Sequence, residues 1–597
     1  MSDPSRRRPA AVVTGGGGGI GTAVALELAR RGIAVVAMDP GAGLQGEPLN
    51  EPTAEETARR ITAEGGVARA STVSVTDRDA IRSLFADVVG EFGSLDIVVN
   101  TAGILRFASF LDASEEDWRA VLGVHLDGYL NVLSEAIPVM AAAGYGRIVG
   151  VTSGAGLARA AGDSAHYSCA KRAVAAVTWQ LAGLLPEGVA LNALSPIAAT
   201  RMVTGAMTGG DAARRQTGPA ERPDGLAERP ESTAERPDGP AERPESTADG
   251  DVAGRRHGDL DLSGLPPAHD MAPAASYLAS QEAGSCRGQV IFSAGPELSL
   301  ISPPRLLEAV RTGHTADFAA SLDTLVPVIL GPAEAQQRST GGSNARFGPV
   351  FDQPGTTGPV PGSASSAPSN CLVISDNAAI TTSIAAALAR CGMTAIDIAP
   401  TGFAAADAAL QRAAQAAGGI DAVVIAPGPF APSGLAAPSW QEMLAGYSVT
   451  ADHVQSHAGW LQAAARHAVR TARPIRVVHL ADASSPPLRA SAQAVAQLAR
   501  CGGLVRPGLI DVFSIAMETA EPADHQPVAH LIARLLWSGD ADALRGAELV
   551  ARPGWIGARS HPGPAATASY GTSAVPPWIT DWLHEVVPGV GRSPVGF

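Results

Sequence analysis

Short apolar runs alternate with longer amphipathic stretches through the first third of the chain. The runs predict buried strands and the longer stretches predict helices, an alternation typical of a doubly wound, parallel α/β sheet. Later we expect a helix over Ala268–Ser280, a last strand over Gly288–Ser293 and a helical extension to about Pro332. The strands predicted in the first third are Pro9–Thr14, Ile33–Asp39, Leu95–Asn100, Arg147–Thr152 and Val189–Ser195. The helices predicted there are Ile20–Arg31 and Tyr167–Leu185.

The same pattern starts again at Cys371, after a segment over Gln336–Asn370 that is rich in Gly, Ser, Pro and Thr. We interpret residues 336–370 as an interdomain linker. The second half then resembles a worn copy of the first, with an internal period of roughly 360 residues. We therefore predict two Rossmann-like, doubly wound parallel-sheet domains in tandem, an active one over residues 1–335 and a degenerate one over residues 371–597.

A near-perfect tandem repeat interrupts the first pattern. Residues Ala220–Thr247 read AERPDGLAERPEST followed by AERPDGPAERPEST. A proline in every heptad excludes a coiled coil, and charge with Pro and Gly but no core-forming residues predicts disorder. We expect residues 207–262 to form a disordered insert without a specific function.

Length, charge and cysteine usage exclude several classes of protein. The chain has 597 residues, too many for one compact core, and its net charge of −14 argues against nucleic-acid and membrane partners. Five widely spaced cysteines form no CxxC pair or Cys/His cluster, so we expect neither a disulfide framework nor a metal site. Because neither an apolar leader nor a run of ~18 apolar residues stands out, we expect a soluble, cytoplasmic protein.

A run of glycines follows the first predicted strand: Gly15–Gly19, then Ile20 and Gly21. Residues without Cβ atoms let a pyrophosphate approach the backbone at a helix N-terminus, where N–H groups favour anions. Asp39 ends the next strand, where a carboxylate can bond both ribose hydroxyls of an adenosine and repels a 2′-phosphate. The pattern predicts a dinucleotide site that prefers NAD to NADP.

Tyr167 and Lys171 are four residues apart, on one face of a predicted helix. Lys171 is the only lysine among 44 Lys and Arg residues, at a position where a compact ammonium suits a neighbouring phenol better than a guanidinium does. A nearby cation favours phenolate, so we expect a lowered pKa at Tyr167 and general acid/base action near neutral pH. Ser153, after another predicted strand, is expected to hydrogen-bond the substrate oxygen as charge develops.

These residues, with Asn100-Thr-Ala-Gly103 and with Pro196 before Thr200, resemble the short-chain dehydrogenase/reductase family over roughly residues 9–300. The resemblance implies that Lys171 also holds the nicotinamide ribose and that Thr200 contacts the carboxamide. The residues it places at the cofactor are Gly15, Gly19, Ile20, Gly21, Asp39, Ser74, Val75, Asn100, Ala102, Gly103, Tyr167, Lys171, Pro196 and Thr200.

Val124-His-Leu-Asp-Gly128 and Thr200-Arg-Met202 resemble one subgroup, the (3R)-hydroxyacyl-CoA dehydrogenase units of multifunctional enzymes of type 2. This narrower resemblance implies a catalytic role for His125 in a proton relay, although a packed helix histidine fits the sequence equally. It also places the tandem repeat in the substrate lid. The residues expected at the substrate are Leu105, Gly154, His166 and Met202.

The predicted function is NAD(H)-dependent reduction of a small-molecule ketone, or oxidation of the alcohol, through Ser153, Tyr167 and Lys171. The substrate is a 3-oxo/3-hydroxyacyl thioester or a polyketide-like ketone. Two alternatives stay open: a ketoreductase or epimerase that tailors a secondary metabolite, and a non-catalytic assembly or binding protein.

The second half keeps the predicted scaffold without the chemistry. It has no Tyr or Lys between Ser484 and Gly503, where the catalytic pair is expected. We predict a catalytically inactive domain that pairs with the active one as an intramolecular pseudo-dimer, in a chain that forms a homodimer. A repurposed ligand or carrier-protein site is the rival interpretation. Four positions of the second half correspond to parts of the first site. Ser375–Thr381 corresponds to the glycine turn, Ala399 to Asp39, Tyr447 to His125 and Asp482 to Ser153.

Overall fold

Two open, mostly parallel sheets organise the molecule. The computed structural model describes residues 8–49, 51–157, 160, 162–200, 202–203, 256–257, 260–261, 265–284, 286–312, 318–339, 369–428, 430, 437–571 and 574–587. The strands are β1 Ala10–Thr14, β2 Ala34–Met38, β3 Ala68–Ser71, β4 Ile97–Asn100, β5 Gly146–Val151, β6 Val189–Pro196, β7 Arg256–His257, β8 Leu260–Asp261, β9 Val290–Ala294, β10 Glu297–Ser302, β11 Leu306–Arg311, β12 Asn370–Ser375, β13 Thr394–Ile398, β14 Ala422–Ala426, β15 Ile475–Asp482, β16 Ile510–Met517, β17 Glu548–Arg552, β18 Trp555–Arg559 and β19 Gly563–Ser569.

Helices cover both faces of each sheet, as expected for doubly wound folds. They are α1 Gly19–Arg30, α2 Thr53–Ala63, α3 Arg78–Phe92, α4 Glu115–Leu122, α5 Gly128–Ala143, α6 Ala165–Leu181, α7 Ala272–Leu278, α8 Phe318–Leu325, α9 Gly331–Ser339, α10 Ala378–Arg390, α11 Phe403–Ala417, α12 Trp440–Tyr447, α13 Thr450–Thr471, α14 Leu488–Gly502, α15 His525–Trp537 and α16 Trp578–Val586. None of the helices in this part of the chain is long and apolar enough to span a bilayer.

The two sheets share one topology. The first has the order β19-β10-β9-β6-β5-β4-β1-β2-β3, and the second has the order β11-β18-β17-β16-β15-β14-β12-β13. In both sheets the central strands are parallel and the last two added are antiparallel. The predicted α/β class with two Rossmann-like sheets is confirmed. The second sheet lacks a counterpart of β3 among the described strands.

The halves exchange edge strands. β11 follows β10 along the chain but pairs with β18 in the second sheet, and β19 follows β18 but pairs with β10 in the first sheet. Each exchanged strand forms the terminal strand of the sheet that it joins. The division of the chain near residues 336–370 stays a prediction. β11 precedes this division but belongs to the second sheet, and β19 follows it but belongs to the first.

The predicted stop after Gly288–Ser293 is wrong. β10 and β11 follow. Gly295, at φ +65°, turns the chain back so that β10 pairs antiparallel with β9. The helical extension begins only at Phe318 and runs to Ser339. Most of the predicted insert and of the predicted linker lies outside the described residues.

The halves share a hydrophobic core. One cluster of buried residues joins α3, α5 and α6 of the first half to α11, α13 and α14 of the second. Helix α6 packs along α14, and α4 packs on α13. The helix that carries Tyr167 and Lys171 is therefore buried between the halves.

Candidate active site

The glycine turn leads from β1 into α1. Gly15 has φ +64°, and a Cβ there would lie 2.9 Å from the Ala102 Cα atom. A Cβ at Gly21 would collide with the Gly15 carbonyl oxygen. Among the described residues no side chain caps α1 at Gly18, so the first N–H groups of this 12-residue helix are available to an anion.

Asp39 lies at the carboxyl end of β2, beside this turn. Its two carboxylate oxygens accept hydrogen bonds from the backbone N–H groups of Gly17, at 3.1 Å, and Gly41, at 2.9 Å. The carboxylate is therefore held in one orientation next to the glycine turn. Because a pyrophosphate at α1 would leave an adenosine near β2, this is the position from which a carboxylate reads a ribose.

The end of β4 is tied to the end of β1. Thr14 Oγ1 donates to Asn100 Oδ1 at 2.7 Å and accepts from the Ala102 N–H at 3.2 Å. Asn100 is buried and braces Thr14 instead of facing the cavity. The Ala102–Gly103 backbone that follows does line it.

These strand ends surround a cavity of about 1080 Å³. It is lined by nearly all of the residues predicted at the cofactor, the substrate and the catalytic centre: Gly15, Gly19, Ile20, Gly21, Asp39, Ser74, Val75, Ala102, Gly103, Leu105, His125, Ser153, Gly154, Tyr167, Lys171, Pro196, Thr200 and Met202. Asn100 and His166 do not line it.

Lys171 lies one helical turn after Tyr167 on α6. Its Nζ atom is 5.7 Å from the centre of the Tyr167 ring and donates to the Val151 carbonyl oxygen at 2.7 Å. The side chain is 4% exposed, and burial lowers the pKa of its ammonium to about 7. The charge of this cation is therefore poised to change near neutral pH.

The pKa of Tyr167 differs from the sequence-based expectation. Burial raises the pKa of the phenol, and a hydrogen bond with the Ser153 side chain opposes that rise only in part. The expected lowering by Lys171 does not appear, because desolvation of the phenolate outweighs an ammonium that is bonded to a backbone carbonyl. In this state Tyr167 is a phenol that can donate a proton.

His125 packs against the Tyr167 ring. The ring centres are 5.1 Å apart and nearly perpendicular, and His125 Nε2 lies 2.7 Å from the Ile104 carbonyl oxygen. Gly103 makes room, since a Cβ there would collide with the imidazole. Burial holds the pKa of His125 well below its usual value, so the ring is neutral. Its Nδ1 atom is buried without a hydrogen-bond partner among the described residues.

The chain around His125 forms a π-helical turn, Gly123–Asp127, between α4 and α5. Such turns are rare and occur often at functional sites. One extra residue per turn leaves no signal in the apolar spacing of the sequence.

His166 lies behind the cavity wall. Its ring is 5.8 Å from that of Trp118, and its Nδ1 accepts the Tyr167 backbone N–H at 2.9 Å. Burial lowers the pKa of the imidazole to about 4. The structure thus brings Leu105, Gly154 and Met202 to the cavity and leaves His166 in the core.

Sequence reasoning missed Leu504. This residue of the second half lines the cavity of the first. No local motif marks it, because its place depends on how the two halves pack.

Comparisons with known proteins agree with this geometry. A family model described as short chain dehydrogenase matches residues 9–209. An uncharacterized NAD-dependent oxidoreductase of Mycobacterium tuberculosis is 38% identical over 192 residues, which are 31% of this chain and 70% of that protein. The chain belongs to the short-chain dehydrogenase family.

Two further relatives of this short-chain dehydrogenase have more specific names. A hydroxyacyl-CoA dehydrogenase of Mycobacterium tuberculosis is 31% identical over 307 residues, 50% of this chain and 80% of that protein. The peroxisomal hydratase-dehydrogenase-epimerase of Neurospora crassa is 38% identical over 192 residues, 32% of this chain and 21% of that protein.

Proposed function

We propose that the first half of this short-chain dehydrogenase is an NAD(H)-dependent oxidoreductase that interconverts a 3-oxoacyl and a 3-hydroxyacyl thioester. One observation carries the proposal: Tyr167, Lys171 and Ser153 reach the same cavity as the glycine turn and Asp39. A hydride donor and a proton donor can therefore meet at one carbonyl group.

The fit of a dinucleotide is supported by the turn itself. Gly15 and Gly21 stand where Cβ atoms would collide with backbone, and the N–H groups at the start of α1 are uncapped in the described structure. Asp39 would bond the adenosine ribose and repel a 2′-phosphate, which favours NAD over NADP. Ser74 and Val75 would border the adenine, and Thr200 would border the nicotinamide end.

The chemistry then follows from the placement of the side chains. When bound, NADH would supply the hydride for the carbonyl carbon of the substrate. Tyr167 donates its phenolic proton to the carbonyl oxygen, and the Ser153 hydroxyl stabilises the charge that develops there. Lys171 stabilises the phenolate left behind and would hold the nicotinamide ribose. For oxidation of the alcohol, the Tyr167 phenolate would accept the hydroxyl proton and bound NAD⁺ would take the hydride from the same carbon.

The thioester class is supported by relatives and by the cavity wall. The named hydroxyacyl-CoA dehydrogenase aligns over 80% of its own length. Leu105, Ile197 and Met202 provide apolar surface for an acyl chain, and Arg106 and Arg119 line the same cavity as cations for an anionic carrier group.

Cofactor titration combined with Tyr167→Phe tests the proposal. We expect wild type to bind NADH more tightly than NADPH and to oxidise NADH in the presence of acetoacetyl-CoA. Tyr167→Phe should retain NADH binding but lose turnover by about 10²–10⁴-fold, because the proton donor is gone.

Tyr145→Phe is the matched control. Tyr145 lies outside the cavity, and Arg147 covers its ring at 4.4 Å, a contact that Phe retains. The enzyme proposal fails if wild type binds no NADH, or if Tyr167→Phe turns over a ketone panel as fast as Tyr145→Phe.

A further inference from the structure

The second half reaches the loop that carries Ser153. This loop leaves β5, makes a single 3₁₀ turn over Gly154–Gly156 and lies between α6 and α14. A Cβ at Gly156 would lie 2.5 Å from the Arg172 backbone nitrogen. The loop is therefore pressed on α6 on one side.

Gln497 of α14 holds the other side of this loop. Its side chain is 1% exposed, and Nε2 donates to the Ala155 carbonyl oxygen at 2.7 Å. The Ala155 N–H in turn donates to Ser153 Oγ at 3.3 Å. A single residue, Ala155, thus links Gln497 to the Ser153 hydroxyl.

Arg500, one turn later on α14, completes the contact. Its Nη1 donates to the Leu157 carbonyl oxygen at 3.0 Å and to Gln497 Oε1 at 2.9 Å. Arg500 therefore orients the Gln497 amide, with nitrogen toward the loop, and holds the loop at Leu157 as well. Both side chains are buried, and a buried carbonyl that loses its donor is costly.

Leu504, just beyond α14, lines the cavity itself. It also lies beside Gly162, which leads into α6. The second half thus supplies both support for the loop and part of the cavity wall.

We propose that Gln497 and Arg500 of the second half are positioning residues for Ser153, and that Leu504 is a specificity-determining residue of the first half's cavity. The catalytic part of this inference rests on the proposed function. A displacement of about 1 Å in a reacting group can cost about 10²-fold in rate. The second half is then a component of the active site as well as a scaffold.

Gln497→Met and Gln462→Met form a matched pair for the test. Gln462 of α13 is also a buried glutamine of the second half, and its Nε2 donates to the carbonyl oxygens of Phe110, at 2.7 Å, and Ala113, at 2.8 Å, in the first half. Gln462→Met loses both of these bonds, and Gln497→Met loses the bond to the loop and the bond from Arg500. Stability alone therefore predicts losses of similar size for the two variants.

We expect catalysis to separate the two variants. Gln497→Met should lower kcat for reduction of acetoacetyl-CoA by about 10- to 100-fold while the Kd for NADH stays unchanged. Gln462→Met should change kcat by less than about threefold and lower the melting temperature instead. Equal losses of kcat in the two variants would overturn the positioning role.

Leu504→Ala tests the specificity role through a different parameter. Removing this wall should change the ratio of kcat/KM for 3-oxodecanoyl-CoA to that for acetoacetyl-CoA by about 10-fold or more, mainly through KM. An unchanged ratio would refute the assignment of Leu504.

Hydrogen exchange of the peptide over residues 153–157 provides a readout that needs no turnover. Exchange should accelerate in Gln497→Met and stay at the wild-type rate in Gln462→Met. If wild type reduces no ketone, the proposed function fails, yet this comparison still decides whether Gln497 holds the loop. Identical exchange in both variants would reject it.

Discussion

The strand–helix turns of the two halves are built on the same scaffold and end differently. In the first half α1 begins at Gly18 without a side-chain cap in the described structure. In the second half the Asn377 side chain accepts the N–H groups of Ala379 and Ile380, both at 3.1 Å, at the start of α10. The groups that could bind a phosphate in one half are bonded to a side chain in the other. The second turn has become a closed helix cap.

Other positions of the second half that correspond to site residues of the first also have their polar atoms bonded within the protein. Asp482, at the position of Ser153, accepts the Phe430 N–H at 2.8 Å and the Ser484 hydroxyl at 2.6 Å. Tyr447, at the position of His125, is buried and donates to Gln180 of the first half at 3.2 Å. Polar groups that could face a ligand are paired within the protein. We propose that the second half exchanged chemistry for internal contacts.

Lys171→Arg should have the largest effect, because it removes the compact cation that only the first half has. The buried pocket that holds Nζ against the Val151 carbonyl does not suit a planar guanidinium. We expect turnover of acetoacetyl-CoA to fall by about 10²–10⁴-fold. Steady-state kinetics with NADH measure the loss.

Lys171→Met is the companion variant, since it keeps the volume and removes the charge. Melting temperatures of both variants would separate misfolding from lost chemistry. A Lys171→Met protein with wild-type kcat would contradict the role of the ammonium and with it the contrast between the halves.

Glu548→Gln should have the next largest effect, on stability. Arg172, directly after Lys171, is fully buried and donates through Nη2 to both carboxylate oxygens of Glu548 on β17, at 2.8 and 2.7 Å. Removing one charge leaves the other buried and unpaired, which costs about 3–5 kcal/mol. Denaturant unfolding measures the loss.

Glu135→Gln is its control. Glu135 pairs with Arg78 and Arg82, whose side chains are half exposed, so we expect a loss of about 1 kcal/mol or less.

Arg172 and His561 hold the pKa of Glu548 at about 2 against burial. A carboxyl group whose pKa is lowered in the folded state stabilises the fold at pH values above its pKa in the unfolded chain. The difference between the variants in free energy of unfolding should therefore shrink as pH falls toward about 2. Equal destabilisation of both variants would contradict a buried clamp between the halves.

The sequence predicts those parts of the site that depend on one rule. Parallel strands bring their carboxyl ends to one edge, so Gly15, Asp39 and Ser153 could be placed together from strand order alone. The exchange of β11 and β19 could not, since nothing local in either strand states which sheet it joins. Leu504 depends on packing between halves. The pKa of Tyr167 depends on burial, which motif spacing does not report.

Asp39→Asn should have a smaller effect, on the choice of cofactor. The amide side chain of this variant keeps one oxygen that can accept a backbone N–H. It has no negative charge with which to bind the ribose hydroxyls or to repel a 2′-phosphate. We expect the ratio of NADPH to NADH dissociation constants to fall by about 10-fold, the value of one charged hydrogen bond. Fluorescence titration with both cofactors measures the ratio.

Ala399→Asp places a carboxylate at the equivalent exposed position of the second half. It should add no NADH site, because the Asn377 cap still occupies the helix N-terminus. Calorimetry should give one NADH per chain in wild type and in this variant. Two NADH molecules per chain in the variant would contradict the conclusion that the helix cap closes the second half to the cofactor.

The smallest expected effect is the pH dependence of NADH binding. Burial places the pKa of Lys171 at about 7, so the free enzyme loses its ammonium as pH rises through about 7. If that cation holds the nicotinamide ribose, NADH affinity should fall by about twofold from about pH 6 to about pH 7, and more steeply above. Lys171→Met should bind NADH weakly at every pH, with that step absent. A step of equal size in Lys171→Met would assign the titration to another group and leave the cofactor role of the ammonium unsupported.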